Sequence, residues 1–349
     1  MEFPDDIVEI DPSSDSRWPS LVSRHPGASV FHTVKWLEAL RQTYGYRALA
    51  LGRVSPSGEL LSGILLCEIR SWLTGNRLVS LPFSDHCEPL VTGPEELSQL
   101  LASLVMQRRE RNWRYIEIRG LSTQYSDAAG GPYREFVFHQ LNLRPTAEEL
   151  FRNLHVDSIR RKIQKAGKSG LTVKSGRSDG LLTDFYGLHV RTRKRQFSTP
   201  HPIAWFRNVL GCLGDDACIR IAYKGETPAA AVFTLQSGTT LVYKYGCSDE
   251  QFHSLGAVPF VFWDMIRNAK KENRLNLDLG RSDPDNPGLI AFKEKWGAQA
   301  QPLLYSRTPA VGNVLEQGTR QGRIFKQLFR LCPDWLLVGA GKLLYPHIG

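Results

Sequence analysis

The sequence predicts a mixed α/β protein built from two similar units, and three observations support that prediction. The chain has 349 residues, enough for about two domains of ordinary size, each with its own core. Hydrophobic residues make up 42% and charged residues 23%, as in soluble globular proteins rather than fibrous or disordered ones. Helix-like and strand-like patterns follow one another in nearly the same order in the two halves.

The first half is predicted to be α-β-β-β-α-β. "TVKWLEALRQTYG" predicts a helix, because Trp36, Leu37 and Leu40 share one face and Gly45 ends it. Two apolar runs, "YRALALGRV" and "LLSGILLCEIRS", flank "SPSG" and predict a hairpin. "RLVSLPF" predicts another strand, and the amphipathic "PEELSQLLASLVMQRRERN" predicts a helix that leads into the strand "YIEIRG".

The second half repeats that order as α-α-β-β-β-α-β. A basic helix over 158–168 precedes two further helices, "TDFYGLHVRTRKR" and "IAWFRNVLGCL". The strands "CIRIAYKG", "AAAVFTLQSG" and "TTLVYKYGC" lead to the helix "GAVPFVFWDMIRNAKKEN" and the strand "RLNLDLG". We therefore expect domains at 1–145 and 146–307, the second opened by the basic helix, and a basic, apolar tail at 308–349.

Charge and cysteine usage narrow the class of protein. The net charge of +9 favours anionic partners, such as phosphates, nucleic acid or an acidic membrane surface. Six cysteines without CxxC pairs predict reduced core residues rather than disulfides, and we expect no metal. "MEFPDDIVEI" lacks the pattern of a signal peptide, and no apolar run reaches the roughly 20 residues of a membrane span. These features predict a cytoplasmic protein.

A turn before the second-half helix is the first candidate site. The strand "LVYKYGC" is followed by a helix that begins near Gly256, and a helix start offers free N–H groups and positive dipole charge to a pyrophosphate. The candidate cofactor-binding residues are Ser254, Gly256 and Ala257. Because "HSLGAVP" has a single Gly, it equally fits an ordinary helix start with Pro259 in its first turn.

Two basic clusters are the second candidate. In "SIRRKIQKAGKSG", helical spacing places Arg161, Lys165 and Lys168 on one outer face. A face of one sign indicates an anionic ligand, and the alternative is a plain basic surface. "HVRTRKRQ" adds Arg191 and its neighbours, while His189 is either a substrate contact or a core histidine.

The strand "RLNLDLGRS" supplies the third candidate. Its alternation places Asp278 on the face opposite Leu277 and Leu279. A buried carboxylate needs a cation or hydrogen-bond donors, and Arg281 and Lys293 are the nearest cations in sequence. These groups either form an internal ion pair or line the substrate cleft.

Several of these stretches together resemble a known family. "LDLGRSDPDNPGLIAFKEKWGAQAQPLLY" resembles the second-domain signature of the Fem-type transferases and their BioF2-like, GNAT-fold relatives. "FHTVKWLEALRQTYGY" and "RLVSLPFSDHCEPLV" resemble the first-domain signature, and "SIRRKIQKAGKSGLTV" the opening basic helix. The resemblance covers roughly Val30 to Tyr305, and it departs at Leu279, where Phe is common.

The resemblance implies two tandem GNAT-like acyltransferase domains. It also implies an acyl-CoA or aminoacyl-tRNA donor. The implied acceptor is an amine on a phosphate-bearing sugar or peptide precursor of the cell envelope or a surface polysaccharide, either nucleotide- or lipid-linked. The lack of a coiled-coil arm favours acyl-CoA over tRNA. Asp278 would orient or deprotonate the acceptor, and Arg281 and Lys293 would bind phosphate or offset charge. The candidate substrate-binding residues are Ser84, Asp85, His86, Arg161, Lys165, His189, Arg191, Tyr243, Tyr245 and Ser282.

Other functions fit the same features. The chain could instead be a non-catalytic protein that binds RNA or phospholipid, or a scaffold of an envelope-assembly complex. In the tail, "RIFKQLFR" predicts a basic amphipathic helix, with Ile324, Phe325, Leu328 and Leu331 at helical spacing, and "WLLVGAGKLLY" is apolar but too short to span a bilayer. The tail either lies at the inner face of the membrane or packs on the first domain.

Overall fold

The computed structural model describes residues 6–130, 134–309 and 332–349, which form two compact units. The first unit contains 6–130, 134–137, 302–309 and 343–349, and the second contains 138–301 and 332–342. The chain therefore changes unit after Val137, within a strand. It also returns to the first unit at Pro302, because the strand that begins at Gln299 continues into a pairing with that unit's sheet.

The first unit is built on a mixed sheet with the order β1-β2-β3-β4-β5-β12. All neighbouring strands are antiparallel except β4 and β5, which are parallel. The strands are β1 (Ile7–Ile10), β2 (Arg47–Val54), β3 (Leu60–Ile69), β4 (Arg77–Ser80), β5 (Ile116–Leu121) and β12 (Gln299–Thr308). The hairpin and the two later strands predicted for this half are confirmed.

Three helices of the first unit have clear local causes. They are α1 (Arg17–Arg24), α2 (Val34–Tyr44) and α3 (Pro94–Gln107). The Thr33 side chain caps α2 by accepting from the Trp36 N–H, and Gly45 ends it in the left-handed conformation, φ 72°. Helix α3 provides the crossover that a parallel β4/β5 pair requires.

The second unit repeats this plan. Its strands follow the order β11-β10-β9-β8-β7, with β6 next to β11, and the parallel pair is β10 and β11. The strands are β6 (Arg134–Asn142), β7 (Leu171–Gly176), β8 (Ala217–Lys224), β9 (Thr227–Ser237), β10 (Thr240–Ser248) and β11 (Asn276–Ser282). Each sheet thus contains antiparallel hairpins followed by one helix-joined parallel pair, and the predicted mixed α/β duplication is confirmed.

Helices pack on both faces of the second sheet. They are α4 (Ala147–Asn153), α5 (Arg161–Lys168), α6 (Asp179–Arg195), α7 (Ile203–Leu213), α8 (Ala257–Lys271) and α9 (Pro287–Glu294). A π-helical turn, Val156–Arg160, runs directly into α5, so the predicted basic helix over 158–168 is helical throughout and begins in π geometry. One core contains Ile163 of α5, Phe262 and Ile266 of α8, and Leu277 of β11.

A last helix, α10 (Asp334–Ile348), ends the chain. Residues 343–349 belong to the first unit, where the Tyr46 hydroxyl donates to the Tyr345 carbonyl at 3.0 Å and Tyr345 is buried. This part of the tail therefore packs on the first unit. The predicted amphipathic helix with Ile324, Phe325, Leu328 and Leu331 lies outside the described residues. Within the described ranges, no helix has both the length and the apolarity to cross a membrane.

Candidate active site

The parallel strands β10 and β11 part at the centre of the second unit. Their register runs from Thr240↔Asn276 to Val242↔Asp278, and both strands continue beyond that point. Residues 243–248 of β10 and 279–282 of β11 therefore line an opening between the strands. This opening lies at the carboxyl ends of the strands, the end at which ligands bind in α/β sheets.

A bulge in β10 turns two tyrosines to opposite faces of the sheet. The register with β9 shifts between Tyr243 and Tyr245, so the usual alternation is broken. The Tyr243 ring packs on Phe262 of α8, with centroids 5.1 Å apart, whereas the Tyr245 ring packs on Phe206 of α7, also at 5.1 Å. The Tyr243 phenol, whose pKa is raised by burial, crosses closely over Gly246, where any side chain would collide with it.

Tyr245 belongs to an aromatic chamber that also contains two buried histidines. The ring of His189 lies 6.0 Å from Tyr245 and 6.3 Å from His201, and Trp205 Nε1 donates to the Tyr245 hydroxyl at 2.9 Å. Burial, and secondarily Arg193, lowers the pKa of His189 to about 3. The pKa of His201 is also lowered, chiefly by burial. Both imidazoles are therefore neutral at pH 7, and the charges next to the chamber include those of Arg193 and Lys244.

Two of the residues predicted to be catalytic, Asp278 and Lys293, fix the backbone near the end of β11. Asp278 is buried and its Oδ1 accepts from the Gly280 N–H at 2.6 Å. Lys293 of α9 is also buried, and its Nζ donates to the carbonyl oxygens of Gly280 at 2.8 Å and Arg281 at 3.0 Å. Gly280 has a φ of 67°, a left-handed conformation that the two side chains fix from either side.

Arg281 and Ser282 follow directly on this fixed segment. Arg281 is half-buried, and Ser282 is 1% exposed. Among the residues that the structure describes, the Ser282 hydroxyl has no hydrogen-bond partner. A buried hydroxyl without a partner costs free energy, and such groups occur where a ligand or water completes the site.

The predicted cofactor turn is joined to the basic helix. Gly256, at φ 79°, begins α8, and a Cβ there would lie 2.6 Å from the Lys162 carbonyl oxygen of α5. Gly256 and Ala257 are therefore buried under α5, while Ser254 stays exposed. The glycine allows two helices to approach, and the chain places the exposed Lys162 beside the positive end of α8.

A cavity of about 930 Å³ lies beside this turn. The basic residues on its wall are Arg191, Lys194 and Arg195. Arg191 pairs with Asp249 at 2.6 Å and Lys194 with Asp334 at 2.9 Å. In the described chain Arg195 has no carboxylate partner; it donates to the Ser248 carbonyl and hydroxyl oxygens at 3.1 and 3.2 Å. Its charge is thus available to an anion.

The same serine connects Arg195 to a histidine. Ser248 Oγ lies 2.9 Å from His253 Nε2, and burial together with Arg195 lowers the pKa of His253. The Arg195–Ser248–His253 chain fixes the guanidinium at the cavity wall. Arg195 belongs to the basic cluster that the sequence indicated around Arg191, but no sequence signal pointed to Ser248 or His253.

The outer face of α5 is exposed as predicted. Arg161 and Lys165 are both exposed, and Arg161 makes an exposed ion pair with Asp157 at 2.7 Å. Such a pair contributes roughly 0–1 kcal/mol, so it does not bind the guanidinium firmly. The structure therefore leaves this face open to solvent, which is compatible with either of the two functions weighed for it.

Three predicted substrate-binding residues lie in the first unit. Ser84 is buried, and its hydroxyl closes a turn by donating to the Leu81 carbonyl at 2.9 Å. The Asp85 carbonyl accepts from the Tyr305 hydroxyl at 2.7 Å. His86 packs edge-on against Phe31, with centroids 5.4 Å apart. Ser84 thus has a structural use that sequence spacing could not reveal.

The element order of the second unit matches a known domain. Residues 154–294 match the family model described as an acetyltransferase (GNAT) domain. Residues 154–294 form a GNAT domain. This GNAT domain includes the parted strands, the aromatic chamber, α5 and the start of α8. No curated protein matches the sequence.

Solved structures extend the likeness to both units. FemX is 17% identical, with a TM-score of 0.66, over 87% of this chain and 96% of that one. A tandem GNAT protein from the clavulanic acid biosynthesis pathway is 10% identical, with a TM-score of 0.56, over 88% and 99%. The C-terminal domain of a putative lysylphosphatidylglycerol synthetase from Agrobacterium fabrum is 14% identical, with a TM-score of 0.52, over 83% and 90%. At these identities the likeness establishes the fold, and the predicted tandem GNAT fold is confirmed.

Proposed function

We propose that this chain is an N-acyltransferase that moves an acyl group from acyl-CoA or aminoacyl-tRNA to an amine of a cell-envelope or surface-polysaccharide precursor. The parting of β10 and β11 carries the proposal. Among the described residues, 243–248 have no registered partner strand on the side of β11. An extended donor that contains amides, such as the pantetheine arm of CoA, can pair with an unpaired strand edge of this kind.

We assign the phosphates of the donor to the start of α8. Ser254 is exposed there, Lys162 adds a cation, and Arg195 lines the neighbouring cavity without a carboxylate partner in the described chain. Helix N-termini and cations both stabilise phosphate groups. Because Gly256 is occupied in packing against α5, we assign the phosphate contact to Ser254 and Lys162 instead.

The chemistry needs a neutral amine, a fixed acyl carbonyl and stabilisation of the oxyanion. The amine nitrogen bonds to the acyl carbon as the carbon–sulfur or ester carbon–oxygen bond breaks. The proton that the amine loses is taken up by the leaving thiolate or alkoxide. We assign the Ser282 hydroxyl to donate to the acyl oxygen, and Arg281 to offset its developing charge. Asp278 and Lys293 then act as positioning residues, because both bind Gly280.

We place the acceptor amine next to the aromatic chamber. A buried aromatic surface next to the cations Arg193 and Lys244 disfavours an ammonium and so favours the neutral amine that must react. The neutral His189 and the half-buried Tyr245 provide such a surface. A phosphate-bearing, lipid-linked acceptor is supported by the likeness to FemX and to a synthetase whose name denotes a lysyl group on a phospholipid.

Two measurements test the proposal. Native mass spectrometry of freshly purified protein should reveal co-purified CoA, acyl-CoA or tRNA, and thiol release from acetyl-CoA should depend on an added amine. Lys162→Glu with Arg195→Glu should weaken donor binding at least tenfold. Lys271→Glu changes an exposed cation at the far end of α8 and should leave donor binding unaltered. If the protein instead binds RNA or phospholipid with a steep salt dependence and turns over neither donor, its function is that of a binding protein and not of an enzyme.

A further inference from the structure

The first unit carries an apolar surface that faces solvent. We define the Trp72 surface as Trp72, Leu73, Leu343 and Ile348, whose exposed fractions are 81%, 50%, 65% and 46%. Trp72 and Leu73 lie between β3 and β4, and Leu343 and Ile348 lie in the last turns of α10. Single exposed aliphatic residues are ordinary, but a fully presented indole beside three aliphatic side chains is not.

The two segments of this surface are fastened to each other. Ser71 Oγ lies 3.1 Å from His347 Nδ1, and Thr74 Oγ1 donates to the His347 carbonyl at 2.7 Å. The Trp72 and His347 rings meet edge-on at 5.5 Å. Ser71 Oγ also accepts from the N–H groups of Leu73 and Thr74, at 3.2 and 2.9 Å. The backbone that presents Trp72 is thus fixed, so docking would require little further ordering.

Cations border the Trp72 surface. Arg70 directly precedes the loop, and it pairs with Glu68 at 2.9 Å. Arg47 is exposed and in register with the same Glu68. Arg114 is exposed, lies against Gly75 and donates its N–H to the Asn76 carbonyl at 2.7 Å. Arg70 and Arg47 thus lie beside one carboxylate, that of Glu68, and Arg114 adds a third positive charge, which leaves the border positive.

We propose that the Trp72 surface docks this protein on an anionic lipid bilayer. Indole rings partition to the level of the lipid headgroups, neighbouring aliphatic side chains enter the acyl boundary, and arginines at the border bind lipid phosphates. The positive border favours an anionic bilayer over a zwitterionic one, because arginines near a membrane surface are attracted to anionic lipid headgroups. This inference does not depend on which acyl donor is used.

Co-sedimentation with vesicles tests the docking. The full chain should sediment with vesicles of phosphatidylglycerol and phosphatidylcholine, and less with phosphatidylcholine alone. Trp72→Ala combined with Leu73→Ala should lower the partition coefficient about tenfold, since it removes most of the inserted apolar area. Arg47→Glu with Arg114→Glu should abolish the preference for the anionic lipid.

Controls make each outcome decisive. Leu61→Ala removes an exposed leucine of β3 that is 44% exposed and outside the Trp72 surface, and it should not change sedimentation. An unchanged melting temperature in all three variants excludes misfolding. Equal sedimentation of wild type and the Trp72/Leu73 variant would overturn the proposal. So would a wild-type dimer, detected by light scattering, that this variant converts to monomer, because the surface would then join two copies.

Discussion

Asp278 and Lys293 bind one residue, Gly280, at its two polar main-chain atoms: the carboxylate accepts from the N–H at 2.6 Å, and the ammonium donates to the carbonyl at 2.8 Å. Both side chains are buried. Asp278 precedes Arg281 and Ser282 in β11, and Lys293 contacts the same segment from α9. The arrangement fixes a left-handed residue where the strand ends. Removing either side chain should therefore change the position of Arg281 and Ser282 before it changes the charge of the site.

Lys293→Met should lower both stability and turnover. The substitution leaves the carbonyls of Gly280 and Arg281 without a buried donor, a loss of about 2–4 kcal/mol in the free energy of unfolding. Arg281→Ala should instead lose most activity with little change in melting temperature, because this side chain is only half-buried. Urea titration and steady-state thiol release distinguish the two. Equal effects of both substitutions on stability would contradict the division into positioning and substrate-contacting groups.

Gly256→Ala should destabilise the GNAT domain by about 1–3 kcal/mol. The new Cβ would lie 2.6 Å from the Lys162 carbonyl, and the backbone has a φ of 79° that disfavours side chains. Urea unfolding measures the loss. Gly167→Ala is the matched control, since it lies in the same helix as Lys162 and a Cβ there has no atom within 4 Å. That control should be neutral or slightly stabilising.

Reversing charge at Arg161 and Lys165 together should raise KM and flatten its dependence on salt. Both side chains are exposed on α5, so their substitution should leave the fold intact. A phosphate-bearing ligand that they attract would bind less well, whereas kcat should change little. Lys271→Glu, at the last residue of α8, is the control. Unchanged kinetics would show that this face is only solvated.

Lowering the pH should destabilise both units, because each contains a buried histidine that is neutral in the folded chain. Burial lowers the pKa of His32 in the first unit to about 4 and that of His189 in the second to about 3. The unfolded chain titrates near 6.5, so between about pH 6.5 and 4 it binds protons that the folded chain does not, and stability falls as pH falls. Each group should account for about 3 kcal/mol by pH 4.

Urea midpoints between pH 7 and 4 check this dependence. His189→Gln should reduce the slope for the GNAT domain and leave that of the first unit unchanged, and His32→Gln should do the reverse. His155→Gln, at an exposed position, should reduce neither. If the slopes persist in both variants, other groups control acid unfolding.

Local signals explain why so much of the fold was predictable. In helix α2, the Thr33 cap, the apolar face and the terminal Gly45 all lie within 33–45. In the β2–β3 hairpin, the turn lies directly between two apolar strands. Strand alternation also predicted that Asp278 lies on the face opposite Leu277 and Leu279. The bulge that separates Tyr243 from Tyr245 was not predictable, because strand pairing and not residue type decides it.

Long-range packing accounts for what the sequence could not reveal. The contact of Lys162 with Gly256 joins helices that are distant along the chain, so the sequence could not show that this glycine packs against α5. Asp278 and Lys293 were expected to form an ion pair or to be catalytic groups. That both form hydrogen bonds with Gly280 depends on where α9 packs, which the sequence does not show. The basic character of α5 was readable, but its ligand was not.

The division of the chain between units has a consequence for its synthesis. The first unit obtains strand residues 302–308 and the helix turns 343–349 from the far end of the chain. A polypeptide leaving the ribosome presents residues 6–130 long before those pieces exist, although domains usually fold in the order of their emergence. The nascent first unit must therefore keep an unpaired β5 edge until residues 304–308 have been translated, and chaperone demand should be concentrated in that interval.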